Sequence, residues 1–129
     1  YTINKDTIYP EYSEITENNC YKGSVKDKPL LVINSEQEFD KYYNCRFAHK
    51  TDFNKYSLIS YGDLLLGCPK IEKTFYKLPK KKQYIVKVKV IYPNTKCKEH
   101  TFVHFNLQVN KIEKDYETIF DIEEFNYWK

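Results

Sequence analysis

The sequence predicts a mainly β (α+β) protein: an antiparallel sheet of about six strands, forming a small barrel or sandwich, with one short helix over about 35–44. Three observations predict it. Apolar and polar residues alternate over 83–92 and again over 101–109, the period of a strand. A single short segment carries helical spacing. No strand–helix alternation of the kind that builds a parallel sheet runs along the chain.

Residues 1–28 are polar, rich in Tyr and without a sustained period. They read as an irregular lead-in packed by its aromatics on a single mainly β domain over 29–129. After Pro29, residues 30–33 form a short apolar run that suits a buried strand. Ser35 and Glu38 make a capping box, so the helix starts there. Phe39, Tyr42 and Tyr43 follow at helical spacing and give it one apolar stripe. Asn44 ends the helix, and a polar loop fills 46–54.

Tyr56, Leu58 and Ser60 alternate with Ser57, Ile59 and Tyr61, a strand with apolar groups on both faces. Gly62-Asp63 is expected to turn the chain, with Leu64 to Leu66 starting another strand. Cys68 is expected to open a further strand through Ile71, Thr74, Phe75 and Tyr76 to Leu78-Pro79. The clearest strand is 83–92. There Tyr84, Val86, Val88, Val90 and Tyr92 line one face, with Lys87 and Lys89 on the other. Pro93-Asn94 breaks it. Thr101, Val103, Phe105, Leu107 and Val109 are expected to face inward, with His104, Asn106 and Gln108 outward. Tyr116, Thr118, Phe120 and Ile122 mark the last strand.

Composition narrows the class. The 129 residues include 13 Tyr and 8 Phe, too many large rings for a disordered chain. The abundance of Lys, Asn, Ile and Tyr follows AT-rich codons and reads first as genome composition. Net charge is +3 with both signs interspersed, and the pI is about 8.5. A nucleic-acid module concentrates its bases on one face, so nucleic acid is not the expected partner. The chain contains no Met and four Cys, and no apolar run approaches the ~20 residues needed to span a bilayer. These features predict an extracytoplasmic protein of the periplasm or cell surface. Any membrane attachment would run through an anchor upstream of Tyr1.

Cys20, Cys45, Cys68 and Cys97 allow three pairings, and none forms C-x-x-C. Cys68 enters the strand before the Lys-rich turn and Cys97 follows the returning strand, so these two should meet at one end of the sheet. Cys20 is then left for Cys45. Each bridge would contribute about 3–4 kcal/mol by restricting the unfolded chain.

Candidate sites are sparse. Cys97, His100 and His104 have the look of metal-ligand spacing, but the alternation of 101–109 makes the segment a strand. Its two imidazoles would then stand about 13 Å apart, too far for one ion. They read as solvent-face histidines, and no metal or cofactor is assigned. Lys77, Lys80, Lys81 and Lys82 cluster at a hairpin turn that could contact an anion, although such turns commonly serve as solvated tips. Ser57, His104 and Asp63 could be assembled on paper into a triad, but nothing in their spacing selects them. Asp121, Glu123 and Glu124 suit a solvated strand end. No catalytic residue is assigned. Tyr9, Tyr12, Tyr127 and Trp128 flank the domain and are the candidate contact aromatics.

The stretch Asp52-Phe53-Asn54-Lys55-Tyr56-Ser57-Leu58-Ile59 resembles a motif, roughly Asp-Phe-Ser-Lys-Tyr-Thr-Leu-Ile, of small exported, often lipid-anchored domains of Gram-negative bacteria. Upstream, Ile33 to Phe39 match the strand and helix of that group, and Cys45 matches a Cys at the helix end. Downstream, Gly67-Cys68, the strand from Tyr84 to Val88 and a later Cys follow in the same order. The group is distantly similar to the C-terminal domain of a secreted, protease-complex-stabilising (PrcB-like) protein. The resemblance implies a mainly β accessory domain with no catalytic residues to carry over. The chain lacks the Gly-Gly-Tyr turn of the protease-binding relatives and has no Cys near its start. The expected function is therefore a non-enzymatic binding or accessory domain for another envelope or secreted protein. The alternatives are a small envelope hydrolase acting on glycan or peptide, and a purely structural surface lipoprotein.

Overall fold

A computed structural model describes residues 7–15, 30–43, 51–93 and 98–126. The protein is mainly β with one helix, as the alternation predicts. In chain order the elements are β1 (Tyr12–Ile15), β2 (Leu30–Ile33), α1 (Glu36–Tyr42), β3 (Tyr56–Leu66), β4 (Lys70–Leu78), β5 (Gln83–Tyr92), β6 (His100–Asn110) and β7 (Glu117–Asn126). They form two open sheets, one ordered β1-β6-β3-β2 and the other β4-β5-β7. Neither closes into a barrel. By its contacts the chain divides into two compact units. The first draws on Tyr1–Pro10, Leu66–His100 and Glu113–Lys129, and the second on Glu11–Leu65 and Thr101–Ile112.

In the second unit, β2 pairs antiparallel with β3 and β1 with β6. Where β6 ends and β3 begins, the Lys111 N–H donates to the Lys55 carbonyl (3.0 Å), so these neighbours also run antiparallel. The helix starts as the capping box requires: Ser35 Oγ accepts from the Glu38 N–H (3.1 Å) and lies 3.3 Å from its carboxylate. Tyr43 closes it, donating its N–H to the Phe39 carbonyl (2.9 Å). The apolar stripe packs on one face of the sheet. Ile33, Tyr43 and Leu58 are its buried centre, flanked by Ile15, Leu31, Phe39, Tyr42 and Phe53. The opposite face buries Ile59, Tyr61, Phe105, Leu107 and Val109, with the Tyr61 and Phe105 rings stacked at 5.2 Å.

In the first unit, β5 is the central strand, and Tyr84, Val86, Val88 and Val90 are buried along it. Phe75 of β4 lies directly across from Val86 and stacks on Tyr84 at 5.7 Å. The other face carries cross-strand charge pairs, including Lys87 with Glu123 at 3.0 Å, while Lys89 lies over the Phe125 ring at 5.9 Å. Hydrogen bonding to Glu123 raises the Lys87 pKa above its ordinary value.

Several expectations are corrected. Within the lead-in expected to be irregular, Tyr12–Ile15 is a strand, because alignment on β6 supplies the backbone partners that its sequence does not announce. Gly62-Asp63 does not turn the chain. Gly62 is buried inside an unbroken strand, and the positive φ (100°) belongs to Gly67, so the two expected strands are one. β4 starts at Lys70 and not at Cys68, since Pro69 has no N–H to give to a ladder. The sheets stay open and do not form the barrel alternative, and the helix lies on a sheet face. The sheets are not wholly antiparallel either, for β5 and β7 are parallel over their full length. Parallel neighbours need a long crossover, usually a helix. Here the chain between them passes through β6 of the other sheet, which no local pattern reveals.

Candidate functional site

Along β6 the alternation places His104, Asn106 and Gln108 on the face that α1 covers. His104 was expected to face solvent. Instead it is half-buried, because the residue that closes α1 reaches it: Tyr43 OH lies 2.7 Å from His104 Nε2, 2.9 Å from Ser60 Oγ and 3.1 Å from Asn106 Oδ1. Ser60 Oγ also donates to Asn106 Oδ1. Tyr43, Ser60 and Asn106 are buried. The Tyr43 ring stacks on Phe39 at 4.9 Å in the apolar half of the interface, and its hydroxyl crosses to the polar half on β6.

The Ser60 hydroxyl proton goes to Asn106 Oδ1. Tyr43 OH donates to the same Asn106 Oδ1, so this amide oxygen is the common acceptor of the two hydroxyls, and the imidazole Nε2 meets the phenolic oxygen beside them. Burial lowers the His104 pKa from 6.5 to about 4, which keeps the ring neutral near pH 7. The arrangement is a hydrogen-bond knot that ties the helix end to the sheet.

The other candidates do not converge. Ser57 lies an odd number of residues from Ser60 on one strand, so it faces away from His104. Its Oγ donates to Asn34 Oδ1 (2.5 Å) and accepts from the Ile112 N–H (3.1 Å). The triad on paper is therefore not assembled. His100 is exposed at the start of β6, Cys97 lies outside the described residues, and among those described no His, Cys, Asp and Glu cluster could hold a metal ion. Cys68 is disulfide-bonded. Cys20, Cys45 and Cys97 lie outside the described residues, so the pairing Cys20–Cys45 and Cys68–Cys97 does too.

The lysines of the turn separate. Lys77 is half-buried and paired with Glu113, with its ammonium 5.6 Å from the centre of the Tyr84 ring and 5.0 Å from that of Tyr116. The hydrogen bond to Glu113 raises the Lys77 pKa, and burial raises that of Tyr84. Lys80, Lys81 and Lys82 are exposed on the 3-10 turn Pro79–Lys81 and its cap. Asp121 and Glu123 share one face of β7, while Glu124 lies on the other.

Among the candidate aromatics, Tyr9 is 69% exposed and packs against Tyr76 at 5.9 Å. Its neighbour Ile8, 49% exposed, is clasped to the edge of β4 by two backbone hydrogen bonds with Lys77, of 3.0 and 2.7 Å. Tyr12 is exposed on β1 of the second unit, and Tyr127 and Trp128 lie outside the described residues. Reading the sequence missed the Tyr43–Ser60–Asn106 knot. The available signal was polar Ser60 on a strand face that also carries Tyr56 and Leu58. No protein-family model, curated protein or solved structure matches the chain.

Proposed function

We propose that the chain is a non-enzymatic binding or accessory domain for another envelope or secreted protein, acting outside the cytoplasm. The observation that carries this reading is the exposed pair Ile8–Tyr9, held against the β4 edge and Tyr76. An exposed aromatic beside an exposed aliphatic side chain has the character of an interface anchor, since it contributes large contact area. The disulfide at Cys68 supports the extracytoplasmic part of the proposal.

A photo-crosslinking residue in place of Tyr9 is expected to trap one partner in the native host. With that partner purified, the double variant Ile8→Ser, Tyr9→Ser should lose about 2 kcal/mol of binding with an unchanged melting temperature. The reading fails if the purified chain turns over a substrate and one polar substitution abolishes that turnover. Intact mass after denaturing alkylation checks the compartment. All four cysteines should resist labelling until reduced, whereas labelling of all four without reduction contradicts export.

A further inference from the structure

The edges of the two sheets are finished differently. In the β1-β6-β3-β2 sheet the outer strands among the described residues span 4 residues each. In the β4-β5-β7 sheet, β4 is closed at one end by Ile8 and carries lysines along its length. β7 has none of these protections. It runs for 10 residues with no Pro, no Lys and no break in register, and among the described residues nothing pairs with the outer backbone groups of Thr118, Phe120, Ile122 and Glu124. Long, flat edges of this kind recruit further strands unless something prevents it.

The hydrogen-bond phase identifies the outward groups. The Glu117 N–H donates inward to the Lys82 carbonyl (3.0 Å), and the register then continues unbroken from Gln83↔Glu117 to Tyr92↔Asn126. Odd positions of β7 therefore turn their backbone groups toward β5. The N–H and C=O of Thr118, Phe120, Ile122 and Glu124 point outward.

The side chains specify the occupant. β7 contains Glu117, Asp121, Glu123 and Glu124 and no basic residue. A second copy is a poor fit. Two β7 strands in antiparallel pairing must match odd positions with odd and even with even. Every such register that overlaps beyond the strand ends sets at least one acid opposite another. On the face shared with Lys87 and Lys89, β7 presents Ile119, Asp121, Glu123 and Phe125, and on the other face Thr118, Phe120, Ile122 and Glu124. A strand laid alongside meets acids on the first face and mainly apolar groups on the second.

We infer that the outer edge of β7 accepts an extended polypeptide segment by strand addition, with basic residues alternating with aliphatic ones. Its backbone pairs with Thr118, Phe120, Ile122 and Glu124, its basic side chains lie beside Asp121 and Glu123, and its aliphatic ones beside Phe120 and Ile122. This rests on the reading of the chain as a binding domain. It concerns the edge away from Ile8 and Tyr9, so substitutions there leave it intact and the two readings can fail separately.

The probe is a blocked peptide alternating Lys and Val, with a Glu–Val peptide of equal length as control. Nuclear magnetic resonance amide exchange on the full chain should show slowing at Thr118, Phe120, Ile122 and Glu124 with the Lys–Val peptide and not with the control. Binding should weaken as salt is added. Ile122→Pro removes an outward donor while leaving the ladder to β5 intact, and should weaken binding about tenfold. If that variant unfolds, Glu117→Lys with Glu124→Lys, both at exposed positions, should weaken binding by a similar factor at low salt. The inference is overturned if the Lys–Val peptide does not bind, binds no better than the Glu–Val peptide, or leaves those four amides exchanging as before.

Discussion

Tyr43→Ala should be among the most damaging single substitutions in the second unit, costing about 4 kcal/mol of unfolding free energy. Two losses combine. The ring is fully buried beside Ile33 and Leu58 and stacked on Phe39, so truncation leaves a cavity between helix and sheet. The hydroxyl also joins Ser60, His104 and Asn106, and without it those buried groups lose a shared partner. Tyr43→Phe separates the terms, because it keeps the ring and removes only the hydroxyl. It should cost about 2 kcal/mol, within the range for leaving buried polar groups unsatisfied. Urea unfolding at pH 7.5 measures both. Equal costs for the two variants would place the whole effect on the hydroxyl, and a negligible cost for Phe would show that the knot contributes only packing.

Acid should then weaken the fold through His104. Its folded pKa of about 4 lies below the 6.5 of an unperturbed imidazole, so between these values the unfolded chain binds more protons than the folded one. The sign follows. Stability is fully present above pH 6.5, falls as pH drops toward 4, and changes no further from this group below that. The difference corresponds to about 3 kcal/mol at the acid end. The cause is burial against the Tyr43 ring, 5.6 Å from the imidazole, beside the uncharged Ser60 and Asn106. His104→Gln keeps a side-chain N–H that can reach Tyr43 and cannot titrate in this range. The chain should lose stability steeply between pH 6.5 and 4.5 relative to that variant. Parallel stability profiles for the two proteins over that range would show that His104 is not held neutral.

Local chemistry made several elements legible. The capping box set the helix start, because Ser35 Oγ accepts from the Glu38 N–H and donates to the Glu38 carboxylate without help from the rest of the chain. The alternation over 83–92 gave β5 to the residue, since a strand buried on one face and charged on the other has no other consistent period. Gly62 misled because glycine permits a turn without requiring one, and the side chains on both sides of it were already strand-forming. His104 misled because polar residues on alternate positions of a strand usually face water. Here α1 covers them, and whether a helix lies over a given sheet face is not encoded at the residues beneath it.

What the sequence determined by itself was the strand content, the single helix with its cap and the aromatic character of the chain, all set by interactions within a few residues. Strand order was decided only by tertiary structure, since pairing partners far apart in sequence are chosen by the burial they jointly achieve. From that order come the parallel match of β5 with β7, the knot of Tyr43 with Ser60, His104 and Asn106, and the place of the acidic β7 at the end of its sheet among the described residues. Each joins residues whose meeting depends on how the whole chain is routed, and none carries a local mark.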